Sequence, residues 1–460
     1  MSMTVSRRDA LKVLAAMPAV AGRSATPGKL NVLWLMSDEH STHAAGWLKN
    51  PIIQTPALDA LAKRGAAFSS AYCQNPICVP SRASFLTGRM PSNVGVFGND
   101  GGLKHGVDTM GTVFKRAGYV AHWIGKTHWG GESGFDSPHG SDDEVTGAAL
   151  RHQITRAPAD ATVATWPASA EGDTATKNFA LRFLETNRDK TFFAGVSFRK
   201  PHFPFIVQEE FYRLYQDRVE APKVTPGMVA DLPLLSQKER EGYGFEKLND
   251  AQIRKARAVY FGMVTYMDSL IGEILKKVDE LGLRENTIIV YTADHGEMAG
   301  EHGLWYKNSF YEASASIPLL LSAPKKIKGG TKVEAPVMNM DLFPTLCDLC
   351  GVPAPDGLEG HSLLPLLEGP EGGKDRYALA ENFRGGFAGR MIRSGDWKYC
   401  YFHEDREQLF DLRNDPGEVM NLAGRPQHKD LQASLKARAL KGWRWQERFE
   451  RKRNKRNQKS

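Results

Sequence analysis

The chain has few cysteines and no long apolar run. Five cysteines in 460 residues are an odd number and too few for a disulfide framework, so at least one thiol is left for another role. No segment approaches the roughly 20 continuous apolar residues of a membrane-spanning helix, which argues against stable membrane insertion. Cys347 and Cys350, in "MDLFPTLCDLCG", have no second Cys-x-x-Cys pair to complete a zinc site, so we interpret them as core residues of a helix.

Net charge is also small outside one terminal segment. The formal net charge is +7, but residues 436–460 hold eleven Lys or Arg against Glu447 and Glu450, a local +9 that leaves −2 for the rest. A nearly neutral body argues against a nucleic-acid-binding fold, although this basic tail could contact a polyanion. A solvated, frayed extension is the alternative interpretation of the tail.

The N-terminal segment has the features of an export signal. "SRRDALKVLAAMPAVAG" places Arg7 and Arg8 before a short alanine-rich run that closes on Ala19-Val20-Ala21, the small-x-small pattern of a cleavage site. The paired arginines are typical of a twin-arginine signal, so residues 1–28 are predicted to be a signal peptide and linker of an exported bacterial protein, periplasmic or extracellular. An amphipathic N-terminal helix is the alternative.

The middle of the chain alternates apolar runs with helical periodicity, the pattern of an α/β fold with a parallel sheet covered by helices. The clearest predicted strands are 30–36, 119–125, 191–198, 287–293 and 317–323. From about residue 371 the texture changes to short alternating segments such as "AGRMIRSGDWKYCYF", which predict antiparallel strands. We therefore predict a main α/β domain over 29–370, a small C-terminal subdomain over 371–435 and the basic tail over 436–460.

The stretch "CVPSRASFLTG", residues 78–88, predicts a helix with Pro80 in its first position and Gly88 at its end. Cys78 would then lie just ahead of the helix N-terminus, where free N–H groups and the helix dipole favour a thiolate or an oxyanion. A small buried hydrophobic residue is the alternative interpretation of this cysteine.

Acidic side chains follow two of the predicted strands. "LNVLWLM" runs into Asp38 and Glu39, and "TIIVYTA" runs into Asp294 and His295. Because ligands bind beyond the carboxyl ends of parallel strands, these side chains can converge on a cation. Carboxylate oxygens with one imidazole suit calcium, magnesium or manganese. Each Asp alone could instead be a turn or helix-capping residue.

Basic side chains are predicted at the same sheet edge. Lys126 and His128 lie in "GKTHW", His202 in "RKPHFPF" and Lys307 in "GLWYKNSFYE". Together with Arg82 they would form a cationic pocket around the metal, suited to a small tetrahedral anion or a monoanionic ester. Surface charges and hydrogen-bonded core histidines are the alternatives.

These motifs carry a family resemblance. "CVPSRASFLTG" is similar to the Cys-x-Pro-Ser-Arg and Leu-Thr-Gly signature of the type I sulfatases, whose cysteine is oxidised to Cα-formylglycine. The resemblance extends from about residue 29 to 425, with "KPHFPF" similar to iduronate-2-sulfatases and "GLWYKNSFYEASASIPLLL" similar to choline sulfatases. It implies an alkaline-phosphatase-like fold, and a formylglycine-generating enzyme as the partner for maturation.

The resemblance also implies a metal site and a nucleophile. Cys78 would become formylglycine, and one hydroxyl of its hydrate would attack sulfur while the second expels sulfate in a later elimination. Asp38, Asp294 and His295 would ligate the metal with that residue, and Glu39 stands where many members have a further Asp. The implied metal is Ca²⁺, with Mn²⁺ or Mg²⁺ as alternatives.

The basic residues receive roles in the same way. Arg82 and Lys126 would hold the formylglycine hydroxyls and sulfate oxygens, and His128 would take the proton in the elimination. His202 and Lys307 would contact sulfate oxygens, with His202 as general acid to the leaving group.

Several functions remain open at this level. The leading hypothesis is an exported sulfatase that acts on a sulfated carbohydrate, with the basic tail near the polymer. Choline sulfatase, a phosphonate or phosphate ester hydrolase of the same superfamily, and a non-catalytic binder of sulfated glycans are the alternatives.

Overall fold

A computed structural model describes residues 29–137, 157–373, 375–443 and 445–446. The predicted signal peptide over 1–28 and residues 447–460 of the predicted tail lie outside the described residues.

The described strands fall into one large sheet, one four-stranded sheet and two short pairs. The strands are β1 (Asn31–Asp38), β2 (Ala66–Phe68), β3 (Ala71–Tyr72), β4 (Val120–Gly125), β5 (Thr162–Ala164), β6 (Phe192–Pro201), β7 (Ile206–Gln208), β8 (Thr287–Ala293), β9 (Leu319–Ser322), β10 (Thr331–Val333), β11 (Val337–Met338), β12 (Tyr377–Asn382), β13 (Gly389–Ser394), β14 (Trp397–Phe402) and β15 (Gln408–Asp411).

The α-helices connect and cover these strands. They are α1 (Pro56–Arg64), α2 (Cys78–Thr87), α3 (Pro91–Val94), α4 (Met110–Arg116), α5 (Gly172–Asn187), α6 (Glu209–Tyr212), α7 (Pro226–Ala230), α8 (Leu234–Gly242), α9 (Asp250–Glu280), α10 (Glu312–Ala315), α11 (Leu342–Cys350), α12 (Leu364–Glu368) and α13 (Lys429–Leu440).

The large sheet has the order β10-β2-β9-β8-β1-β6-β4. Its centre, β8-β1-β6-β4, is parallel, as the sequence predicts. All five predicted strands occur, with ends shifted by at most three residues. One difference concerns direction, because β9 is the predicted strand 317–323 and pairs antiparallel with both β2 and β8. A buried apolar run has the same composition in either direction, so the sequence pattern does not distinguish them.

Both faces of this sheet are covered. Along β1, Trp34 faces a core built with α2, α4 and α11, whereas Leu33 and Leu35 face a core built with α5 and α9. The side-chain alternation of a strand explains this division, since both faces must be apolar when helices cover both. Cys347 and Cys350 are buried in the first core, which agrees with the interpretation of both as core residues.

The helix that carries Cys78 begins two residues earlier than predicted. Ile77 is the N-cap, Cys78 is the first helical residue, and the N–H of Ser81 donates to Ile77 O at 3.0 Å. Pro80 is tolerated in third position because the first N–H groups of a helix have no partner within it. Gly88 ends the helix with a left-handed φ of 65°, as expected for a C-terminal glycine.

The C-terminal part forms the predicted antiparallel sheet, with the order β12-β13-β14-β15. Helix α13 packs against this sheet through Leu435 and Ala439. The predicted basic tail begins at residue 436, inside this helix. The first residues of the tail are therefore helical and packed against the C-terminal subdomain. Trp443 and Trp445 also pack against Phe383, which extends the folded part further.

None of the helices in the described parts of the chain is both long and apolar enough to cross a membrane.

Candidate active site

The carboxyl ends of the four central parallel strands bring most of the predicted site residues together. Asp38 ends β1 and Glu39 follows it, Asp294 and His295 follow β8, Lys126 follows β4 and His202 follows β6. Lys307 arrives differently, from the loop between β8 and α10. Its neighbours Tyr306 and Asn308 have left-handed φ values of 67° and 76°, so a strained backbone carries this lysine.

A close approach of two strands positions Lys126. Gly125 ends β4 with φ of 88°, and a Cβ there would lie 2.2 Å from the carbonyl oxygen of Ser197 on β6. Only glycine permits this backbone contact and this φ. The N–H of Lys126 then donates to Ser197 O at 2.9 Å, which fixes the chain as it leaves the sheet edge.

Cys78 lies at the centre of the cluster and is 1% exposed. Its Sγ is 3.2 Å from His295 Nε2 and 3.4 Å from Lys307 Nζ. Burial raises the pKa of the thiol, but Lys307, Lys126 and His295 outweigh burial and hold the pKa of Cys78 well below its ordinary value. The first position of α2 adds the positive end of the helix dipole. The site therefore stabilises negative charge at position 78.

Arg82 connects two carboxylates and does not line the cavity above them. Its Nε donates to Asp294 Oδ2 at 2.8 Å and its Nη2 to Asp38 Oδ2 at 2.9 Å. Its Nη1 lies within hydrogen-bond distance of Lys126 O, Thr127 O and Ser197 Oγ. Protein acceptors therefore surround the guanidinium, and the prediction that Arg82 holds the formylglycine hydroxyls and sulfate oxygens stays a prediction. Arg82 is a positioning residue for Asp38 and Asp294.

The carboxyl groups of Asp38 and Glu39 differ in charge preference. Burial raises the pKa of Asp38, but Lys126, His202 and Arg82 lower it below the ordinary range. Burial raises the pKa of Glu39 well above its usual value, although Lys307 opposes this with its Nζ 3.0 Å from Glu39 Oε2. Asp38 is thus an anion, whereas Glu39 is readily protonated.

The donor set fits a divalent cation. One ligand atom from each of Asp38, Cys78, Asp294 and His295 lies within 4.8 Å of the others, and Asp38 also forms such a group with Glu39 and His202. Among the described residues, Asp38 Oδ1 and Glu39 Oε1 are buried without a hydrogen-bond partner. Unpaired buried carboxylate oxygens are costly unless a cation binds them. The oxygen-rich set suits Ca²⁺, Mn²⁺ or Mg²⁺.

His295 is oriented for ligation by its own loop. Its Nδ1 lies 3.0 Å from Gly296 O, an arrangement that leaves Nε2 directed at Cys78. Burial lowers the pKa of His295, but Asp294 and Cys78 raise it to about 9. A cation that binds at Nε2 must therefore displace a proton.

His202 and His128 lie on the cavity side of the cluster. His202 Nε2 is 3.3 Å from Glu39 Oε2, and its Nδ1 is 2.5 Å from Phe203 O. Burial, Lys307 and Lys126 lower the pKa of His202 to about 3, so its imidazole is uncharged at neutral pH. Its role as general acid stays a prediction. His128 contacts Cys78, and this contact also lowers the thiol pKa.

Above the cluster lies a cavity of about 410 Å³. Five predicted residues line it, namely Cys78, Lys126, His128, His202 and Lys307, whereas Arg82 and the remaining metal-ligand candidates lie beneath them. Such a floor can receive a tetrahedral anion, place an attacking atom at position 78 and stabilise charge that develops during displacement.

Other lining residues were not singled out from the sequence. They are Ile77, Asn99, Trp166, Glu171, Asp173, Arg199, Lys200, Phe203, Pro204, Ile206, Tyr243, Tyr306, Asn308 and Arg384. Phe203 lies in "RKPHFPF", and Tyr306 and Asn308 lie in "GLWYKNSFYE". These two motifs could have indicated all three residues as part of the site. Tyr243 and Arg384 carry no motif, and only the tertiary fold brings them to this cavity.

Comparison with known proteins gives the family of this chain. The Sulfatase family profile matches residues 30–352, and the profile described as N-sulphoglucosamine sulphohydrolase, C-terminal, matches residues 300–444. A choline-sulfatase of Rhizobium meliloti (strain 1021) is 31% identical over 451 residues, covering 90% of this chain and 86% of the relative. An ulvan-active sulfatase of Formosa agariphila is 32% identical over 438 residues, covering 90% of this chain and 81% of the relative.

Among solved structures, the phosphonate monoester hydrolase of Agrobacterium radiobacter superposes with a TM-score of 0.80. The superposition covers 90% of this chain and 95% of that protein at 23% sequence identity. At this identity the likeness bears on the fold alone. The predicted alkaline-phosphatase-like architecture, with its mostly parallel sheet and C-terminal antiparallel sheet, is confirmed.

Proposed function

Because the chain belongs to the sulfatase family and is a sulfuric ester hydrolase, we propose that it hydrolyses a sulfate ester of a carbohydrate through a formylglycine made from Cys78. The observation that carries this proposal is the surroundings of Cys78. A buried side chain in the first turn of α2 is in contact with Lys307 and His295, with Asp38 and Asp294 close by. A purely structural cysteine would not need to line a cavity beside a group of possible metal ligands.

Formylglycine supplies, as its hydrate, two hydroxyls on one carbon, one for attack on sulfur and one whose deprotonation later expels sulfate. A divalent cation held by Asp38, Asp294, His295 and residue 78, with Glu39 as a further ligand, supplies Lewis-acid activation. We expect Ca²⁺, with Mn²⁺ or Mg²⁺ as alternatives. A formylglycine-generating enzyme is the partner that this modification requires.

The chain's own residues bind the ester and move protons. Lys126 and Lys307 line the cavity on the floor beside Cys78, where they can hold sulfate oxygens and stabilise charge in the transition state. His128 contacts residue 78 and is our candidate for taking the proton in the elimination step. His202 faces the cavity and is our candidate for protonating the leaving alcohol, a role in which the bound anionic ester raises the pKa of His202 from about 3 so that it holds a proton. Arg82 holds Asp38 and Asp294 in place.

Two observations support a carbohydrate as substrate. The cavity wall carries Trp166, Tyr243 and Tyr306 beside polar groups, a composition typical of sugar sites, where rings pack on aromatic faces. One of the two relatives described above is an ulvan-active sulfatase. Choline sulfate and phosphonate esters are the competing substrates.

Export is part of the same proposal. We propose that the twin-arginine signal predicted over residues 1–28 carries the folded enzyme out of the cytoplasm, which places it where polymeric substrates occur. Replacing Arg7 and Arg8 together by Lys should leave the enzyme in the cytoplasmic fraction. Periplasmic recovery of that double variant at the normal level would contradict the export route.

The activity test uses enzyme co-produced with a formylglycine-generating enzyme. We expect turnover of an aryl sulfate and of at least one sulfated mono- or oligosaccharide, with weaker turnover of choline sulfate and of the aryl phosphonate ester. Faster hydrolysis of the phosphonate ester than of the sulfate ester would show that the chain is instead a phosphonate ester hydrolase. Preference for choline sulfate over every sulfated sugar would refute the carbohydrate proposal.

The metal is tested by removal and return. A chelator should abolish turnover, and Ca²⁺ should restore it more fully than Mn²⁺ or Mg²⁺. Cation binding should also raise the melting temperature, since a ligand at 100 times its Kd stabilises the fold by about 2.7 kcal/mol. In Asp294→Asn, which removes one carboxylate charge, this thermal shift should shrink. Full activity after exhaustive chelation would contradict the proposal.

A further inference from the structure

The outer wall of the cavity contains a polar group that the reaction itself does not use. Glu239, on α8, connects two cavity residues through one oxygen atom. Its Oε1 accepts from Arg384 Nε at 2.6 Å and from Asn308 Nδ2 at 3.0 Å. Glu239 does not line the cavity, so it holds both side chains from behind. Arg384 and Asn308 are therefore fixed next to each other in the wall.

Arg384 presents unused donors. It belongs to the C-terminal subdomain, in the turn between β12 and β13. Its Nε binds Glu239 and its Nη2 donates to Tyr243 Oη at 3.1 Å, and no hydrogen bond of Nη1 is found among the described residues. Its side chain is 38% exposed and lines the cavity. A guanidinium fixed on one side with N–H groups left over suits an anionic ligand.

Asn308 adds an unused acceptor beside the reaction centre. It is 8% exposed, and its Oδ1 has no hydrogen-bond partner within the described part of the chain. The residue before it is Lys307, whose Nζ reaches Cys78. A buried amide oxygen without a donor is costly, and a ligand hydroxyl would satisfy it. Asn308 itself lines the cavity and shares Glu239 Oε1 with Arg384.

An aromatic ring completes this part of the wall. Tyr243 is 51% exposed, although its ring packs on Phe245 at 5.4 Å between centroids and its hydroxyl accepts from Arg384. A large exposed ring held in a fixed position offers a face for a sugar ring.

The acidic residues of the same wall are already engaged. Glu171 accepts from Trp166 and Gln208, and Asp173 accepts from the backbone N–H groups of Arg199 and Lys200. These carboxylates do not supply free acceptors for a cationic ligand. Basic side chains also outnumber acidic ones along the cavity, since Lys126, Arg199, Lys200, Lys307 and Arg384 line it against Glu171 and Asp173. The cavity therefore favours negative charge on the part of the substrate that leaves.

We propose that Arg384, Asn308 and Tyr243 form a leaving-group subsite for a sulfated sugar that carries a second anionic group. The proposal rests on the sulfatase function proposed above and specifies its substrate. Arg384 binds the second anion, a carboxylate or another sulfate, Asn308 Oδ1 accepts from a hydroxyl, and Tyr243 packs on the ring. A cationic leaving group such as choline is disfavoured by the same arginine.

The test compares substrates that share one sulfate position. Wild-type holoenzyme is assayed on a neutral monosulfated sugar, on the corresponding sulfated uronic acid, on the disulfated sugar and on an aryl sulfate. We expect kcat/KM to be highest for one of the two doubly anionic sugars. The preferred one of these two sugars shows whether the second anion that Arg384 binds is a carboxylate or a sulfate. In Arg384→Gln, the preference for that substrate over the neutral sugar should fall on the order of 10- to 100-fold.

Arg413→Gln is the matched control, because Arg413 lies in the same subdomain, is 74% exposed and is not a cavity residue. It should leave the preference at the wild-type ratio. If wild type prefers the neutral sugar, or if Arg384→Gln keeps the wild-type preference, the subsite is refuted. Failure of wild type on the aryl sulfate and on every sulfated sugar would instead refute the sulfatase proposal, so the two failures are distinguishable.

Discussion

Two buried cysteines in this chain lie beside buried lysines and have opposite acidities. Cys78 contacts Lys307 in the cavity floor, and Cys400 lies on β14 two residues from Lys398. Both thiols are 1% exposed. Burial opposes ionisation of both, yet the pKa of Cys78 is held well below its ordinary value and that of Cys400 is raised far above it.

The difference arises from what else surrounds each lysine. Lys398 donates to Phe310 O at 2.7 Å and to Glu312 Oε1 at 2.9 Å, and it also forms an ion pair with Glu418. Two carboxylates therefore compensate its charge, and both raise the pKa of Cys400. Around Cys78, Lys307, Lys126 and His295 act together on the thiol.

We distinguish a structural cluster, formed by Lys398, Glu312 and Glu418, from a chemical cluster around Cys78. Lys398 joins the C-terminal sheet to Glu312 of α10 in the body of the protein, and its donors are satisfied. The cluster at Cys78 has carboxylate oxygens without hydrogen bonds on Asp38 and Glu39 and opens to a cavity, whereas Glu418 Oε1, which also lacks a hydrogen bond, is ion-paired with Lys398. Burial and charge alone do not mark an active site, whereas incomplete pairing beside a cavity does.

Replacing the two cysteines should give the largest contrast. Cys78→Ala should lose essentially all turnover, because it removes the residue that carries the nucleophile. Cys400→Ala removes only a small buried side chain, so it should cost about 1 kcal/mol of stability and keep its turnover per folded molecule. Steady-state assays and thermal melts of both variants test this. Comparable turnover in both would end the distinction between the two clusters.

Lys398→Met should have a large effect on stability. It leaves Glu312 and Glu418 buried without their cation, and breaking a buried ion pair costs about 3–5 kcal/mol. Denaturant unfolding measures the loss, and the folded fraction should retain its kcat. A variant with wild-type stability, or one that folds fully but loses kcat, would contradict the structural role.

Lys307→Met should show the reverse pattern. Removing one preorganised contact to developing charge should lower kcat on the order of 10²- to 10³-fold. Its thermal melt should still show a cooperative transition, since Glu39, the ion-pair partner of Lys307, has a raised pKa and can take up a proton in place of the lost cation. Wild-type kcat in this variant would remove Lys307 from the chemistry.

The structural cluster should also make the free energy of unfolding depend on pH, through the carboxyl group of Glu418. Burial raises the pKa of Glu418 from 4.5 to about 7, with Glu312 adding to the rise and Lys398 opposing it. The folded carboxyl then holds a proton that the unfolded chain releases near 4.5, so this stabilisation is complete below 4.5 and is lost as pH rises through about 7.

Between those values, one such proton changes the free energy of unfolding by about 1.4 kcal/mol per pH unit. Glu418→Gln mimics the protonated form, so its unfolding free energy should fall less steeply with pH than that of wild type. Parallel slopes for the two proteins would show that Glu418 has an ordinary pKa.

The sequence was sufficient to predict the convergence of Asp38, Lys126, His202 and Asp294. Each follows a strand of the parallel centre, and the carboxyl ends of parallel strands meet at one edge. Strand direction at β9 was not predictable, because a buried apolar run has the same composition in either direction and its partner β2 is distant in sequence. The start of α2 was misplaced because proline is tolerated throughout the first turn of a helix.

The remaining differences concern contacts between distant segments. Arg82 looked like a substrate cation, and only the fold shows that Asp38 and Asp294 enclose it. Arg384 reaches the cavity from the other subdomain, and the unpaired Oδ1 of Asn308 depends on Glu239 occupying its amide nitrogen. No local pattern encodes which side-chain atoms stay unpaired.

The central claim is that residue 78 acts as formylglycine, and peptide mass spectrometry tests it most directly. Trypsin should release residues 65–82 as one peptide that contains both Cys73 and Cys78, so Cys73 is an internal control for nonspecific oxidation. In enzyme co-produced with a formylglycine-generating enzyme, fragment ions should place the aldehyde at position 78 and an intact thiol at 73. Across preparations with different degrees of conversion, kcat per protein should rise in proportion to the aldehyde fraction. Full turnover from protein that carries only the thiol at position 78 would contradict the account.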